Sequence, residues 1–221
     1  MTGRTVRLTA RDGHSLEGFI AAPDAEPVAG LVVVQEIFGL TAHIKAVVEQ
    51  YAAAGFLAVA PAFFDRVEPG TVLEYSDVET GRSTMQKLRW PDTLADVEAA
   101  LEHVRGAGKV GVVGFCWGGT VAHVAAAELP LAAAVAYYGG GIARMLDKRP
   151  RCPIVYHFGG RDQAIPMAAV EQIRAAVPDG AFYVYPGAGH GFSCTDRASY
   201  SPADAELAFE RSRAFLESEL A

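Results

Sequence analysis

Apolar and polar positions along the chain follow two alternating patterns. Short runs with no charged member, such as Leu31-Val32-Val33-Val34, Val110-Gly111-Val112-Val113 and Pro153-Ile154-Val155-Tyr156, recur along the chain. That length and branched content predict strands buried on both faces, as in a parallel sheet. Between them lie stretches with apolar residues three and four apart, the period of a helix with one packed face. Leu94, Val97, Ala100, Leu101 and Val104 give the clearest example.

In chain order, Arg4 to Ala10 and Ser15 to Ala22 flank the turn signal Asp12-Gly13 and predict a hairpin. Strands are expected at Gly30 to Ile37, Phe56 to Ala60, Lys109 to Val113, Ala132 to Tyr138, Ile154 to Phe158 and Ala181 to Tyr185, all of them buried. Helices are expected over about His43 to Ala54, Asp92 to Gly106, Trp117 to Ala127, Pro166 to Val177 and Pro202 to Leu220. The polar stretch from Phe63 to Arg89 reads as a covering loop with a short helix. Strand and helix alternate, which predicts an α/β fold with a mostly parallel, doubly wound sheet and an N-terminal β-hairpin. At 221 residues a single domain, 1–221, is expected.

Composition narrows the function classes. Hydrophobic residues make up 51% of the chain, enough for a sheet covered on both faces. The net charge is −7 and no Lys/Arg run occurs, which argues against nucleic acid or anionic membranes as partners. Met1 to Val6 carries no apolar segment of signal-peptide type, and no run reaches membrane-spanning length. Cys116, Cys152 and Cys194 are odd in number and lack metal-ligand spacing. They suit a reducing cytoplasm, with no metal and no cofactor expected.

The candidate chemistry begins at Gly114-Phe115-Cys116-Trp117-Gly118-Gly119, directly after a strand and before a helix. This is the Gly-x-nucleophile-x-Gly elbow of α/β-hydrolases, with cysteine where serine is usual. A nucleophile at such a bend takes a strained backbone, so its neighbours must be glycines. The following helix directs its free N–H groups at the same point, where they favour a thiolate and an oxyanion. A lone cysteine at a strand end is more often a small core residue. Two later segments outweigh that reading: Gly159-Gly160-Arg161-Asp162 and Gly187-Ala188-Gly189-His190-Gly191-Phe192, each in a Gly-rich loop past a strand. The order nucleophile, Asp, His is that of an α/β-hydrolase, and strand carboxyl ends are where open parallel sheets build sites. His14, His43, His103 and His123 show no ligand spacing, and His123 reads as packed. His157 lies near Asp162 in sequence and reads as its support.

Together with Arg11-Asp12-Gly13-His14, Gln35-Glu36-Ile37-Phe38-Gly39 and Tyr137-Tyr138-Gly139, these segments make the chain resemble the dienelactone hydrolases (carboxymethylenebutenolidases) over nearly its whole length. The resemblance implies a lactone or ester hydrolase that works through an acyl-thioester, acts on a small molecule, needs no cofactor and is a monomer. It implies that Cys116 is the nucleophile, His190 the base and Asp162 its orienting partner, with Glu36 beside the cysteine controlling its ionisation. The backbone N–H groups of Ile37 and Trp117 are the expected oxyanion donors. Two arginines hold a substrate carboxylate in that family. Arg82 matches the first, whereas Cys194 occupies the position of the second, and Arg197 can replace it only if its loop bends back. Phe38, Trp90, Tyr137 and Phe192 are candidate pocket residues, with core packing as the alternative for each. Two rivals remain: a non-hydrolytic lactone binder on the same fold, and a thiol-redox protein, which the absence of Cys-x-x-Cys disfavours.

Overall fold

The computed structural model describes residues 3–221. Its eight strands are β1 (Arg4–Thr9), β2 (Ser15–Ala21), β3 (Ala29–Val34), β4 (Phe56–Pro61), β5 (Val110–Phe115), β6 (Ala133–Tyr137), β7 (Ile154–Gly159) and β8 (Ala181–Tyr185). The helices are α1 (Ala42–Ala53), α2 (Val78–Gln86), α3 (Trp90–Val104), α4 (Trp117–Glu128), α5 (Met167–Ala176) and α6 (Pro202–Leu220). Hydrogen bonding orders the strands β1-β2-β4-β3-β5-β6-β7-β8. The expected α/β architecture with an N-terminal hairpin is what forms. Backbone contacts divide the described residues into two compact units, one of residues 3–111 with 220–221 and one of residues 112–219.

In the first unit the hairpin pairs Arg4 with Ile20 and Thr9 with Ser15, and Gly13 takes the positive φ its turn requires. Alternation along it buries Leu8, Leu16 and Ile20 and leaves Arg7 and Glu17 in solvent. β2 runs antiparallel to β4, and β3 parallel to β4. Every residue of β3 is buried, as its unbroken apolar run requires. Helix α1 starts where Thr41 Oγ1 accepts the N–H of Ile44 at 3.3 Å, and stops before Gly55 at φ 102°. Helix α3 begins at Trp90, two residues earlier than Asp92, because Pro91 fits the first turn, where its missing N–H costs nothing.

The polar stretch 63–89 is more ordered than a loop. Leu73 N–H donates to Phe38 O at 2.9 Å, Gly39 and Val72 form an isolated bridge, and Gly81 of α2 meets the Ile37 carbonyl so closely that no side chain would fit. The segment after β3 is thus clamped by α2 and the chain before it. Charged residues fasten the hairpin turn to α3, with Arg11 of the turn 3.1 Å from Glu98. The Arg66 guanidinium forks onto Asp96, with Nε to Oδ2 and Nη2 to Oδ1 both at 2.7 Å, and Nη1 reaches Asp12 Oδ2 at 2.8 Å. Burial pushes the Asp96 carboxyl up, and the hydrogen bonds from Arg66 oppose it.

In the second unit β6, β7 and β8 pair parallel. β6 and β7 are wholly buried, but β8 is not: of its five residues only Tyr185 is buried. Position in the order is the reason, since β8 is the last strand. Arginines cover its half-buried rings, Arg174 over Phe182 at 4.8 Å and Arg211 over Tyr183 at 4.2 Å from the ring centroids. Helix α4, rich in Ala and Gly, is buried from Gly118 to Ala126 and packs closely on β6.

Candidate active site

The elbow geometry follows from its glycines. Cys116 sits between β5 and α4 at φ 56°, ψ −116°, a conformation that L side chains rarely adopt. A Cβ on Gly114 would collide with the Gly118 carbonyl, and one on Gly119 would collide with the Tyr137 carbonyl. These contacts let α4 start directly against the strand end. The Cys116 N–H donates to Tyr137 O at 3.0 Å, which fixes the bend from the neighbouring strand.

Two loops at the carboxyl ends of β7 and β8 complete the arrangement. The Asp162 carboxylate accepts the N–H groups of Ala164 and Ile165 on Oδ1 at 2.8 and 3.2 Å. Its other oxygen, Oδ2, lies 2.7 Å from His190 Nδ1. His190 Nε2 lies 3.1 Å from Cys116 Sγ. Asp162 can only accept, so Nδ1 carries a proton and Nε2 faces the sulfur. The Asp162 side chain is fully buried, the imidazole is 21% exposed and Cys116 is half-buried. Burial works against the charge on His190. The hydrogen bonds to Asp162 and Cys116 outweigh it and push the imidazole up to about 10.

The loop after His190 is built from tight turns: Cys194 N–H to Gly191 O, Arg197 N–H to Cys194 O and Tyr200 N–H to Arg197 O. They fold Arg197 back until its guanidinium lies against Gly191, where a Cβ would come within 2.7 Å of Nη1. Cys194 itself is fully buried.

Other expected residues fall elsewhere. Phe38 is buried and packs on Tyr75 at 4.7 Å. Tyr137 stacks on Phe115 at 4.7 Å with its hydroxyl on Ser212, and Phe192 is enclosed by Tyr138 and Tyr185. For these three rings core packing is sufficient. Trp90 is half-buried at the start of α3, Arg82 is exposed on α2, and Glu36 is buried just past β3. His123 is a packed core residue bonded to Tyr156 and Met145 O. His157 does not support Asp162. Its ring bonds Tyr185 and Ser212, and burial, with the charge of Arg211 added, pushes it down to about 3. No cluster of three metal-binding side chains occurs among the described residues, and no described helix is long and apolar enough to cross a membrane.

Two residues beside His190 were assigned no role from the sequence. Ser199 Oγ donates to the His190 carbonyl at 2.6 Å, and the Tyr138 ring lies against the imidazole at 5.2 Å. The position of Tyr138, the last residue of a predicted strand and part of Tyr137-Tyr138-Gly139, was the available signal for it.

A cysteine at a strained strand–helix elbow, with Asp and His on the two following loops, is the arrangement of an α/β-hydrolase. The comparisons then specify which kind. The profile of the Dienelactone hydrolase family matches residues 16–220. The carboxymethylenebutenolidase of Pseudomonas putida is 33% identical, the match covering 96% of this chain and 94% of that protein. A solved structure from Klebsiella pneumoniae, provisionally named a dienelactone hydrolase, is 30% identical at a TM-score of 0.84, covering 97% of this chain and 98% of that one. A dienelactone hydrolase-like promiscuous phosphotriesterase from metagenomic libraries shares the fold at 21% identity and a TM-score of 0.75, covering 100% of this chain and 99% of that one. The chain belongs to the dienelactone hydrolase family.

Proposed function

We propose that this hydrolase cleaves its lactone or ester through Cys116, with His190 as base and Asp162 as the group that orients it. One observation carries the reading: Sγ, imidazole and carboxylate lie in a line of 3.1 and 2.7 Å contacts, with the sulfur on a strained elbow. The imidazole holds the thiol proton, so the sulfur stands as a thiolate and attacks the carbonyl carbon. The oxyanion forms at the start of α4, where the Trp117 N–H is the donor within that helix and the Ile37 N–H is the expected second one. The tetrahedral intermediate collapses to an acyl-thioester as His190 returns the proton to the leaving oxygen. His190 then draws a proton from water, which attacks the thioester and releases the acid. Glu36, buried past β3, is the expected control on the thiol proton.

The substrate follows from Arg197. Its guanidinium lies against the residue next to His190, which supports the idea that it replaces the arginine missing at Cys194. The proposed substrate is therefore a compact lactone or ester bearing a carboxylate, held by Arg197 and by Arg82, with the half-buried Trp90 on its apolar side. The free thiols suit a reducing cytoplasm, and a monomer is the proposed working form.

The test is steady-state hydrolysis of dienelactone beside p-nitrophenyl acetate by wild type, Cys116→Ser and Arg197→Ala. Dienelactone turnover that is lost in Cys116→Ser, with a KM raised by Arg197→Ala for the lactone alone, supports both parts. Turnover of the neutral ester alone overturns the carboxylate part. Full activity of Cys116→Ser overturns the nucleophile.

A further inference from the structure

Among the described residues only two that are not glycine have a positive φ: Cys116 at 56° and Tyr138 at 37°. The first is the proposed nucleophile, whose strain has an evident use. The second is a bulky aromatic residue, for which this backbone is costly and persists only where the surroundings enforce it. Those surroundings are specific. The Tyr138 N–H donates to His157 O at 2.7 Å, which holds the residue to the end of β7. Its ring stands edge to face with the His190 imidazole, centroids 5.2 Å apart and planes at 61°. Its hydroxyl is 2.7 Å from Ser193 Oγ, in the loop that follows His190. The preceding carbonyl, Tyr137 O, accepts the N–H of Cys116. One peptide thus touches both reacting groups: its carbonyl side fixes the backbone under the sulfur, and its tyrosine side braces the imidazole and the loop that carries it.

We infer that Tyr138 is a positioning residue for His190, with the Tyr138–Ser193 hydrogen bond setting the height of the imidazole over the Cys116 sulfur. The inference rests on the reading of Cys116 and His190 as the reacting pair. The edge-to-face contact confines the ring plane, since aromatic pairs prefer this arrangement to a loose one. Ser199, which bonds the His190 carbonyl, holds the backbone but cannot set the ring. A ring displaced by a fraction of an ångström still binds substrate but transfers the proton less well, so the effect falls on kcat rather than KM.

The experiment uses Tyr138→Phe, Ser193→Ala, their double variant and Ser193→Thr. Each is assayed for kcat and KM on p-nitrophenyl acetate and for thermal melting. Each is also assayed for the rate of Cys116 alkylation by iodoacetamide at neutral pH, read by peptide mass spectrometry. Tyr138→Phe keeps the ring and removes only the hydroxyl. It and Ser193→Ala are each expected to lower kcat about three- to tenfold, with KM and melting little changed, as one net hydrogen bond allows. The double variant is expected to be no worse than either single one, because both remove the same bond. Ser193→Thr restores the hydroxyl and the rate. The alkylation rate falls in parallel, because it reads the same imidazole without needing turnover. Wild-type kcat and alkylation in both single variants, or losses that multiply in the double variant, overturn the inference. If Tyr138→Phe does not fold, Ser193→Ala and its threonine rescue decide the question. Cys116→Ala is run alongside: if it hydrolyses the ester like wild type, the proposed function fails, and the alkylation series still shows whether Tyr138 sets the imidazole.

Discussion

Asp162 divides its two oxygens between unlike tasks. Oδ1 accepts the backbone N–H groups of Ala164 and Ile165, and Oδ2 meets His190 Nδ1 at 2.7 Å. The carboxylate is therefore locked by its own loop before it acts on the imidazole. Asp162→Asn keeps the shape and can retain the Oδ1 bonds, but presents an amide to a ring nitrogen that must donate. The imidazole is then driven to the wrong tautomer, with its proton toward sulfur. We expect kcat on p-nitrophenyl acetate to fall roughly 10³–10⁴-fold with nearly unchanged melting. A loss below tenfold would remove Asp162 from the proposed relay.

Gly114 shows how tightly the elbow is closed. Any Cβ there runs into the Gly118 carbonyl, which the first turn of α4 holds in place. Gly114→Ala is expected to cost about 1–3 kcal/mol in urea unfolding, the usual range for overpacking against unyielding atoms. Its activity should fall further than its stability, since the shift needed to admit the methyl moves Cys116 off its line with His190.

Arg66 is 11% exposed and Asp96 not at all, so their fork is a buried ion pair. Arg66→Ala leaves Asp96 charged and alone, and about 3–5 kcal/mol of stability should be lost. Replacing both, Arg66→Met with Asp96→Leu, should recover most of that loss, because the penalty comes from the orphaned charge rather than from missing attraction. If the double variant is as unstable as the single one, the pair contributes more than its desolvation.

The strands and helices were legible because each buried run and each 3.6-residue stripe is a local signal. The nucleophile, acid and base were legible because each lies in a Gly-rich loop just past a strand. Burial of β8 was misjudged, since its sequence Ala181-Phe182-Tyr183-Val184-Tyr185 looks like a core strand and nothing local marks it as the edge. The partners of Arg66 lie 30 and 54 residues away, and those of His157 lie 28 and 55 away. Such pairings arise only when distant elements meet. The role assigned to His157 failed for that reason: nearness to Asp162 in sequence carried no information about where the ring points.

The buried ring of His157 leads to the last prediction. Ser212 donates its one proton to Ala208 O at 2.8 Å. Its oxygen must then accept from both neighbours, the Tyr137 hydroxyl at 2.7 Å and His157 Nε2 at 2.9 Å. That fixes the proton of neutral His157 on Nε2 and leaves Nδ1 to accept from the Tyr185 hydroxyl at 2.9 Å, while Arg211 donates to the Tyr185 oxygen at 3.4 Å. Every direction in the chain is assigned, and a second proton on His157 would reverse it. Burial and then Arg211 accordingly hold this histidine at about 3, against 6.5 when unfolded. Between those values the unfolded chain binds a proton that the native protein refuses, so stability falls as pH drops from about 6.5 toward 3. His190 behaves oppositely. Despite its burial, the bonds to Asp162 and Cys116 hold it at about 10. The proton it keeps is the one taken from the Cys116 thiol, which in the unfolded chain holds that proton itself up to about 8.5, so stability falls as pH rises from about 8.5 toward 10. The two together place a plateau of stability between about pH 6.5 and 8.5, with each limb no steeper than about 1.4 kcal/mol per pH unit. Urea unfolding from pH 4.5 to 9.5 checks this. His157→Gln should lower stability overall but flatten the acid limb, and His190→Asn should flatten the alkaline limb alone. An alkaline limb unchanged in His190→Asn would show that the imidazole is not charged in the native site, and would remove the proton holder that the proposed mechanism requires.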